Sequence, residues 1–346
     1  MRKFEGFLNG INLGGWLSQC VSYDKKHFDE FITEEDFKYI KSLGFDHVRL
    51  PIDYDVIEEE NGEIKPEGYA HIEDAIKYCR KLNLNVVLDL HKSCGFMFDT
   101  KEVPDPDKFF TDEKLQQRFL DTWERLISHF GKDKDIVAFE LLNEVVNPDF
   151  TQKWNEIASR AIKLIRKYES DAYIILGGVM HNNVTCVSRL DPPADKFIVY
   201  NFHCYDPLCF THQHAHWVEN IDYDLSYPAP IELYIEKSKI LKQAHAGAIF
   251  SDGLSEVGPA FFEKLFEDAI SYAETMDVPL YCGEYGVIDK APSEDALRWL
   301  TDINSVFEKS GIGRALWNYK QKDFGITELY PADKADALKK ALWLNN

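Results

Sequence analysis

Two short stretches, Phe139-Glu140-Leu141-Leu142-Asn143-Glu144 and Tyr281-Cys282-Gly283-Glu284-Tyr285-Gly286, decide how the chain is read. Each is an apolar run closed by a carboxylate, the pattern of a buried parallel strand whose last residue points into a cleft. The two glutamates stand 140 positions apart (284 minus 144), so only a tertiary fold can bring them together.

Working outward, further apolar runs recur near 7–12, 45–50, 84–90, 136–142, 172–177, 196–202, 279–283 and 312–317. Their Val, Ile, Leu and Phe content suits strands covered on both faces. Helix signals lie between them. Thr33-Glu34-Glu35-Asp36 reads as a capping box opening a helix that stops near Gly44. From Pro66 to Leu82, Ile72, Ala75, Ile76 and Cys79 form the stripe of an amphipathic helix, and 119–130, 154–165 and 261–273 have the same texture. Eight strands alternating with helices predict an α/β protein, a closed (β/α)8 TIM barrel. The competing open doubly wound sheet lacks a GxGxxG after an early strand.

The interval from Tyr205 to Leu280 is abnormal, because one crossover helix with its two loops needs only about thirty to forty residues. A small inserted subdomain over approximately 207–260, between strand six and strand seven, is expected to wall one edge of the active site. No repeat, low-complexity tract or linker divides the rest, so 1–346 is read as one catalytic domain.

Composition narrows the function. Of 346 residues, 45% are hydrophobic and 14% aromatic, enough for a large core with rings to spare. The net charge of −20 repels phosphate backbones and anionic lipid, which argues against nucleic acid or membrane partners. Seven cysteines, an odd number without a CxxC pair, match no zinc framework. There is no apolar leader at Met1–Gly6 and no run long enough to span a bilayer. A reduced, cytoplasmic setting is expected, or a secreted one if a leader has been removed. Oligomeric state is not readable.

In a (β/α)8 barrel the C-terminal strand ends converge on the active site. Those ends supply Asn12 to Trp16, Arg49, His91, Asn143-Glu144, His203-x-Tyr205, Glu284 and Trp317. Two glutamates meeting there are the apparatus of glycoside hydrolysis. The chain resembles family 5 of the glycoside hydrolases, in clan A, and is similar to clostridial endoglucanases with a subdomain inserted after strand six. The segments that carry the resemblance run almost end to end: Gly10-Ile11-Asn12-Leu13-Gly14-Gly15-Trp16, Phe45 to Pro51, Val87 to His91, Leu141 to Glu144, Val199 to Tyr205, Thr211 to Trp217, Tyr281 to Glu284 and Leu316 to Tyr319.

The resemblance implies a retaining endo-β-1,4-glucanase without a cofactor or metal. Glu144 would be the general acid/base and Glu284 the nucleophile, their carboxyls about 5–5.5 Å apart. Arg49 and Tyr205 would favour the charged form of Glu284, whose charge would in turn raise the pKa of Glu144. Asn143 would hold the sugar 2-hydroxyl, His91 and His203 would bind hydroxyls or orient the carboxylates, and Trp317 would stack on the reacting sugar. Trp217 is a second candidate platform, while Trp16 divides evenly between platform and core. Many relatives carry a second histidine where this chain has Lys92, which could still donate to sugar hydroxyls.

Other readings accompany these. β-Mannan, glucomannan, β-1,3- or mixed-linkage glucan, and exo-action on short oligosaccharides remain open within the class. A carbohydrate-binding barrel without activity would lack one of the two carboxylates. His212, His214 and His216 would share one face of a strand and could suggest a metal-dependent hydrolase, but no acidic ligand pattern accompanies them. His47 reads as structural, and Glu58-Glu59-Glu60 as a solvated loop.

Overall fold

Each apolar run forms a parallel strand: β1 (Asn9–Asn12), β2 (His47–Asp53), β3 (Asn85–Lys92), β4 (Val137–Glu140), β5 (Ile174–Gly177), β6 (Ile198–Cys204), β7 (Leu280–Tyr285) and β8 (Gly313–Leu316). Each pairs with its sequence neighbour, and β1 pairs with β8 as well as β2, so the sheet closes into the expected barrel. The structure, a computed structural model, describes residues 1–99, 101–241 and 253–342.

The helices α1 (Glu34–Leu43), α2 (Pro66–Leu82), α3 (Glu113–Phe130) and α4 (Thr151–Tyr168) follow β1 to β4 in turn. Helix α1 starts on the anticipated capping box, with Thr33 and Asp36 bonded reciprocally, and ends at left-handed Gly44. Helix α2 has Pro66 in its first turn, where the missing N–H costs nothing. After β5 the alternation breaks. Residues 178–197 hold a 3-10 segment at Val184–Arg189 and no long α-helix. Pro192-Pro193 close the stretch, and a left-handed turn at its start consumes the room for one. Between β6 and β7 lie α5 (Ile231–Lys239) and α6 (Pro259–Met276), the second packing against that 3-10 segment. Part of the expected insertion, 242–252, falls outside the described residues. Helices α7 (Ser293–Ser310) and α8 (Ala335–Ala341) complete the ring.

Two apolar regions result. The larger lies between barrel and helices; the smaller plugs the barrel bottom with Phe4, Phe7, Val87, Ala138, Ile175, Val199, Tyr281 and Ala315. Side chains alternate along a strand, so two residues beyond Val87, Ala138 and Val199 the next inward layer is Asp89, Glu140 and Asn201. The barrel therefore changes from apolar to polar in one step, and the cleft opens above that polar layer. His47 sits at the bottom between Asp46 (2.6 Å) and the Tyr281 hydroxyl (2.8 Å), a structural role as expected. Glu58 departs from the solvated-loop reading: it is buried and bonded by Arg118 and Arg125, whereas Glu59 and Glu60 are exposed.

Candidate active site

The polar layer is organised by Arg49, fully buried on β2. Its Nε and Nη2 donate to the two oxygens of Glu140 at 2.7 and 2.9 Å. Nη2 also reaches Asn143 Oδ1 (2.9 Å) and lies 3.0 Å from Asp89 Oδ2, while Nη1 donates to Asn12 Oδ1 (3.0 Å) and Glu284 Oε1 (2.8 Å). One guanidinium thus joins carboxylates from β3, β4 and β7, the fork geometry to which arginine is suited.

Glu284 enters the cleft through an irregularity. Pairing of β6 with β7 jumps from Phe202↔Cys282 to His203↔Glu284, leaving Gly283 as the extra residue. Such a bulge re-aims the following side chain. The position needs glycine, because a Cβ would lie 2.8 Å from Asn201 Oδ1 and 3.1 Å from His203 Nε2. The Tyr205 hydroxyl donates to Glu284 Oε2 at 2.9 Å. Glu144 arrives differently. Beyond β4, Leu141 and Asn143 still bond to Ile175 and Leu90, and the backbone then turns at Glu144 with φ 44°. Its Oε1 lies 2.8 Å from His203 Nδ1, and that nitrogen is 3.7 Å from Glu284 Oε2. One oxygen of each glutamate and a nitrogen of His203 all fall within 4.8 Å of one another.

Burial raises the pKa of both glutamates, and the two then diverge. Glu144 is driven well above the ordinary range, first by burial and then by the charge of Glu284. Glu284 is raised by burial but pulled back by Arg49, His91 and the Tyr205 hydrogen bond. Burial, which the sequence reading left out, is the larger cause for both. His203 is held well below its usual range by burial and the Arg49 charge, so its ring is neutral. His91 is pushed down to about 4, burial again leading. Its Nδ1 faces Asp89 Oδ2 at 2.7 Å, its Nε2 faces Gln19 Nε2 at 3.0 Å, and its ring stacks on Trp317 at 6.0 Å.

A cleft of about 590 Å³ lies above, and Glu144, His203, Tyr205, Trp217, Glu284 and Trp317 line it. Arg49, His91 and Asn143 are buried and reach the lining residues by contact, Arg49 bonding Glu284 and Asn143 while His91 stacks on Trp317. The amide of Asn143 is oriented by Arg49 through Oδ1, and its buried Nδ2 has no partner among the described residues. Trp317 is seated against Gly14, where a Cβ would lie 2.5 Å from the indole. Trp16 resolves as core, buried with Nε1 donating to Phe28 O at 2.8 Å.

Two expectations change. Lys92 does not line the cleft: its ammonium sits between Asp55 (3.0 Å) and Glu102 (3.1 Å), tying the β2 and β3 loops together. His212, His214 and His216 lie in a turn rather than on a strand. His212 packs against Tyr205, while His214 bonds Asp222 and Asp224 on the other side of the turn. The sequence places Asn12 among the strand ends but assigns it no role, and it singles out none of Glu140, Asp89, Asn201 and Asn182 for the site. For Glu140 and Asp89 a signal was present, since an acid inside an apolar strand run must find a buried cation.

A closed (β/α)8 barrel with two buried carboxylates facing one another at its C-terminal mouth defines the glycoside hydrolase class of enzyme. The family profile described as cellulase (glycosyl hydrolase family 5) matches residues 9–323, and the chain belongs to that family. Cellodextrinase A of Ruminococcus flavefaciens is 45% identical over 315 residues, covering 91% of this chain and 86% of that protein. Endoglucanase C of Acetivibrio thermocellus is 39% identical over 333 residues, covering 95% and 94%. Among solved structures, endoglucanase Cel5A from Thermotoga maritima shares the fold with a TM-score of 0.76, at 23% identity and 97% coverage of each chain.

Proposed function

We propose that this glycoside hydrolase is a retaining endo-β-1,4-glucanase in which Glu284 is the nucleophile and Glu144 the acid/base. The observation that carries the reading is the approach of the two carboxylates in unlike surroundings: within 4.8 Å at the nearest oxygens, one held by Arg49 and Tyr205, the other by neutral His203. That spacing suits direct attack and is shorter than the roughly 6.5–9.5 Å that an inverting site keeps between its carboxyls.

In the first step Glu284 bonds to the anomeric carbon as the C1–O bond breaks, and the proton of Glu144 passes to the departing oxygen. Glu144, now charged, takes a proton from water, whose oxygen displaces Glu284 from C1. Departure of the Glu284 charge in the first step lowers the pKa of Glu144, which suits its change from acid to base. Asn143 Nδ2 donates to the sugar 2-hydroxyl, a bond that strengthens as positive charge develops at C1. Trp317 stacks under the reacting sugar, and Trp217 is a platform further along the cleft. Residues approximately 207–260 act as the inserted subdomain that carries Trp217 and flanks the cleft. The names of the two relatives favour β-1,4-linked glucose chains, and the cellodextrinase in particular favours short soluble ones.

Product analysis on cellopentaose tests the reading, with Glu284→Gln as control. Di- and trisaccharides that keep the β configuration at first release, abolished in the variant, are expected. Glucose released only from one end, or no cleavage, would overturn the endo assignment and redirect attention to exo-action, mannan or β-1,3-glucan.

A further inference from the structure

The turn after β5 has a conformation that nothing above explains. Met180, His181 and Asn182 take φ of 56°, 57° and 54° in succession. Left-handed non-glycine residues are strained and persist only where the surroundings impose them. Here the imposing contacts all lead to the acid/base. The N–H groups of Met180 and His181 donate to Val146 O (3.2 Å) and Val145 O (3.0 Å), the two residues after Glu144. Asn183 makes a parallel bridge to His203, the partner of Glu144. Between these stitches the buried side chain of Asn182 lies over Gly177, occupying the space that a Cβ would need.

The Asn182 amide is aimed at His203, with Nδ2 3.3 Å from Nε2. Asn201 Nδ2 approaches the same nitrogen at 3.5 Å. The orientation of Asn201 is fixed elsewhere, because its Oδ1 accepts from Gly283 N–H (2.8 Å) and its Nδ2 donates to Glu140 Oε1 (2.8 Å). Asn182 Oδ1 has no partner among the described residues, so that amide is oriented by His203 alone; with its Nδ2 toward the ring, as the fixed Asn201 Nδ2 is, both amides donate and Nε2 accepts. In a neutral imidazole the proton then resides on Nδ1.

We propose that Asn182 is a positioning residue that locks His203 in the Nδ1–H tautomer, so that Glu144 Oε1 always accepts from His203 and the catalytic proton is confined to Glu144 Oε2. The inference rests on the acid/base reading of Glu144. Oε2 delivers the proton to the glycosidic oxygen as the C1–O bond breaks, and Oε2 collects the proton of water when the Glu284 ester opens. The groups facing this pair are Arg49 from β2, Asp89 and His91 from β3, Glu140 from β4, His181 from the turn, Tyr205 from β6 and Glu284 from β7. Burial first, and then Arg49, His91 and His181, oppose a second proton on His203, so the open question for the ring is its tautomer and not its charge.

The first test is ¹⁵N NMR of the histidine-labelled, otherwise unmodified protein. A pyrrole-type shift at Nδ1 of His203 with a pyridine-type shift at Nε2 is expected; the reverse assignment overturns the proposal. The second is Asn182→Asp, which puts an acceptor against Nε2 and draws the proton there. Its kcat/KM on cello-oligosaccharides should fall by about 10²-fold, the lower range for losing acid assistance. On 2,4-dinitrophenyl cellobioside, whose leaving group needs no proton, it should stay within about threefold of the unmodified enzyme. Parallel losses on both substrates, or none, would reduce Asn182 to a packing residue and sink the idea. Full activity of Glu144→Gln on cello-oligosaccharides would instead remove the acid/base reading itself, and leaves the NMR result standing as a separate fact.

Discussion

Arg49 and Asp53 sit four residues apart on β2 and meet opposite fates, which shows how finely burial and partnership compete in this barrel. Arg49 is surrounded by Asp89, Glu140 and Glu284, and removing it strands three buried carboxylates. Arg49→Met should destabilise the protein by about 3–5 kcal/mol in urea unfolding at pH 7, the range for breaking a buried pair. Asp53 is buried without a cation in contact among the described residues; it accepts from the Tyr23 hydroxyl (2.9 Å) and, weakly, from Gln19 N–H (3.4 Å), and the Ser18 hydroxyl also favours its charged form. Burial pushes its pKa up to about 6 from an ordinary 3.8. Stability from the protonated form is thus fully present below pH 3.8 and lost as pH rises through 6. Asparagine imitates the protonated acid, so the advantage of Asp53→Asn over the parent should grow by about 2 kcal/mol between pH 4 and pH 7. A gap that shrinks with pH would contradict the assignment. At this scale the sequence disclosed Glu144, Glu284, Arg49 and Tyr205 because strand ends in a barrel converge. It did not disclose Asn182, because a tautomer depends on what two amides face, and neither residue type nor spacing encodes that.

Among the elements, local sequence chemistry was readable wherever it acts within one turn. The Thr33 capping box formed as written, and Thr33→Ala should cost about 1 kcal/mol in thermal or urea unfolding with kcat unchanged. Pro66 and the alternating strand runs were equally plain. The β5–β6 connection was not, since its missing helix follows from a left-handed turn fixed by tertiary bonds to Val145 and Val146. Lys92 departs from expectation for a similar reason: Asp55 and Glu102, which capture it, lie on the connections that follow two different strands. The first βα loop offers a sharper test. Gly14→Ala would push a methyl into the Trp317 indole, and the ring is the sugar platform in this reading. A KM for cello-oligosaccharides raised about tenfold or more is expected, with a smaller change in Tm; unchanged kinetics would show that the indole does not need that seat.

For the molecule as a whole, closure of eight strands was legible because parallel strands buried on both faces stand out as apolar runs. The interval between β6 and β7 was legible only as a length, since a long interval says that something is there and not what it packs on. Trp217, 36% exposed at the cleft edge beside His212 and His216, makes a role for that segment measurable. Trp217→Ala should raise KM for cellopentaose several-fold and leave cellotriose nearly untouched, because a shorter chain cannot reach a distant platform. Equal effects on both lengths would place the ring next to the reacting sugar instead.

The left-handed backbone at Glu144 has an evolutionary consequence. Glycine is the one residue that would rest there without strain, and every glutamate codon becomes a glycine codon by a single A-to-G transition. One common mutation therefore leads from the working enzyme to a barrel with a more relaxed backbone, an intact sugar cleft and no proton donor. Drift toward robustness and selection for turnover pull in opposite directions at this codon. Lineages released from the need to cut glucan have a one-base route to becoming proteins that merely hold it.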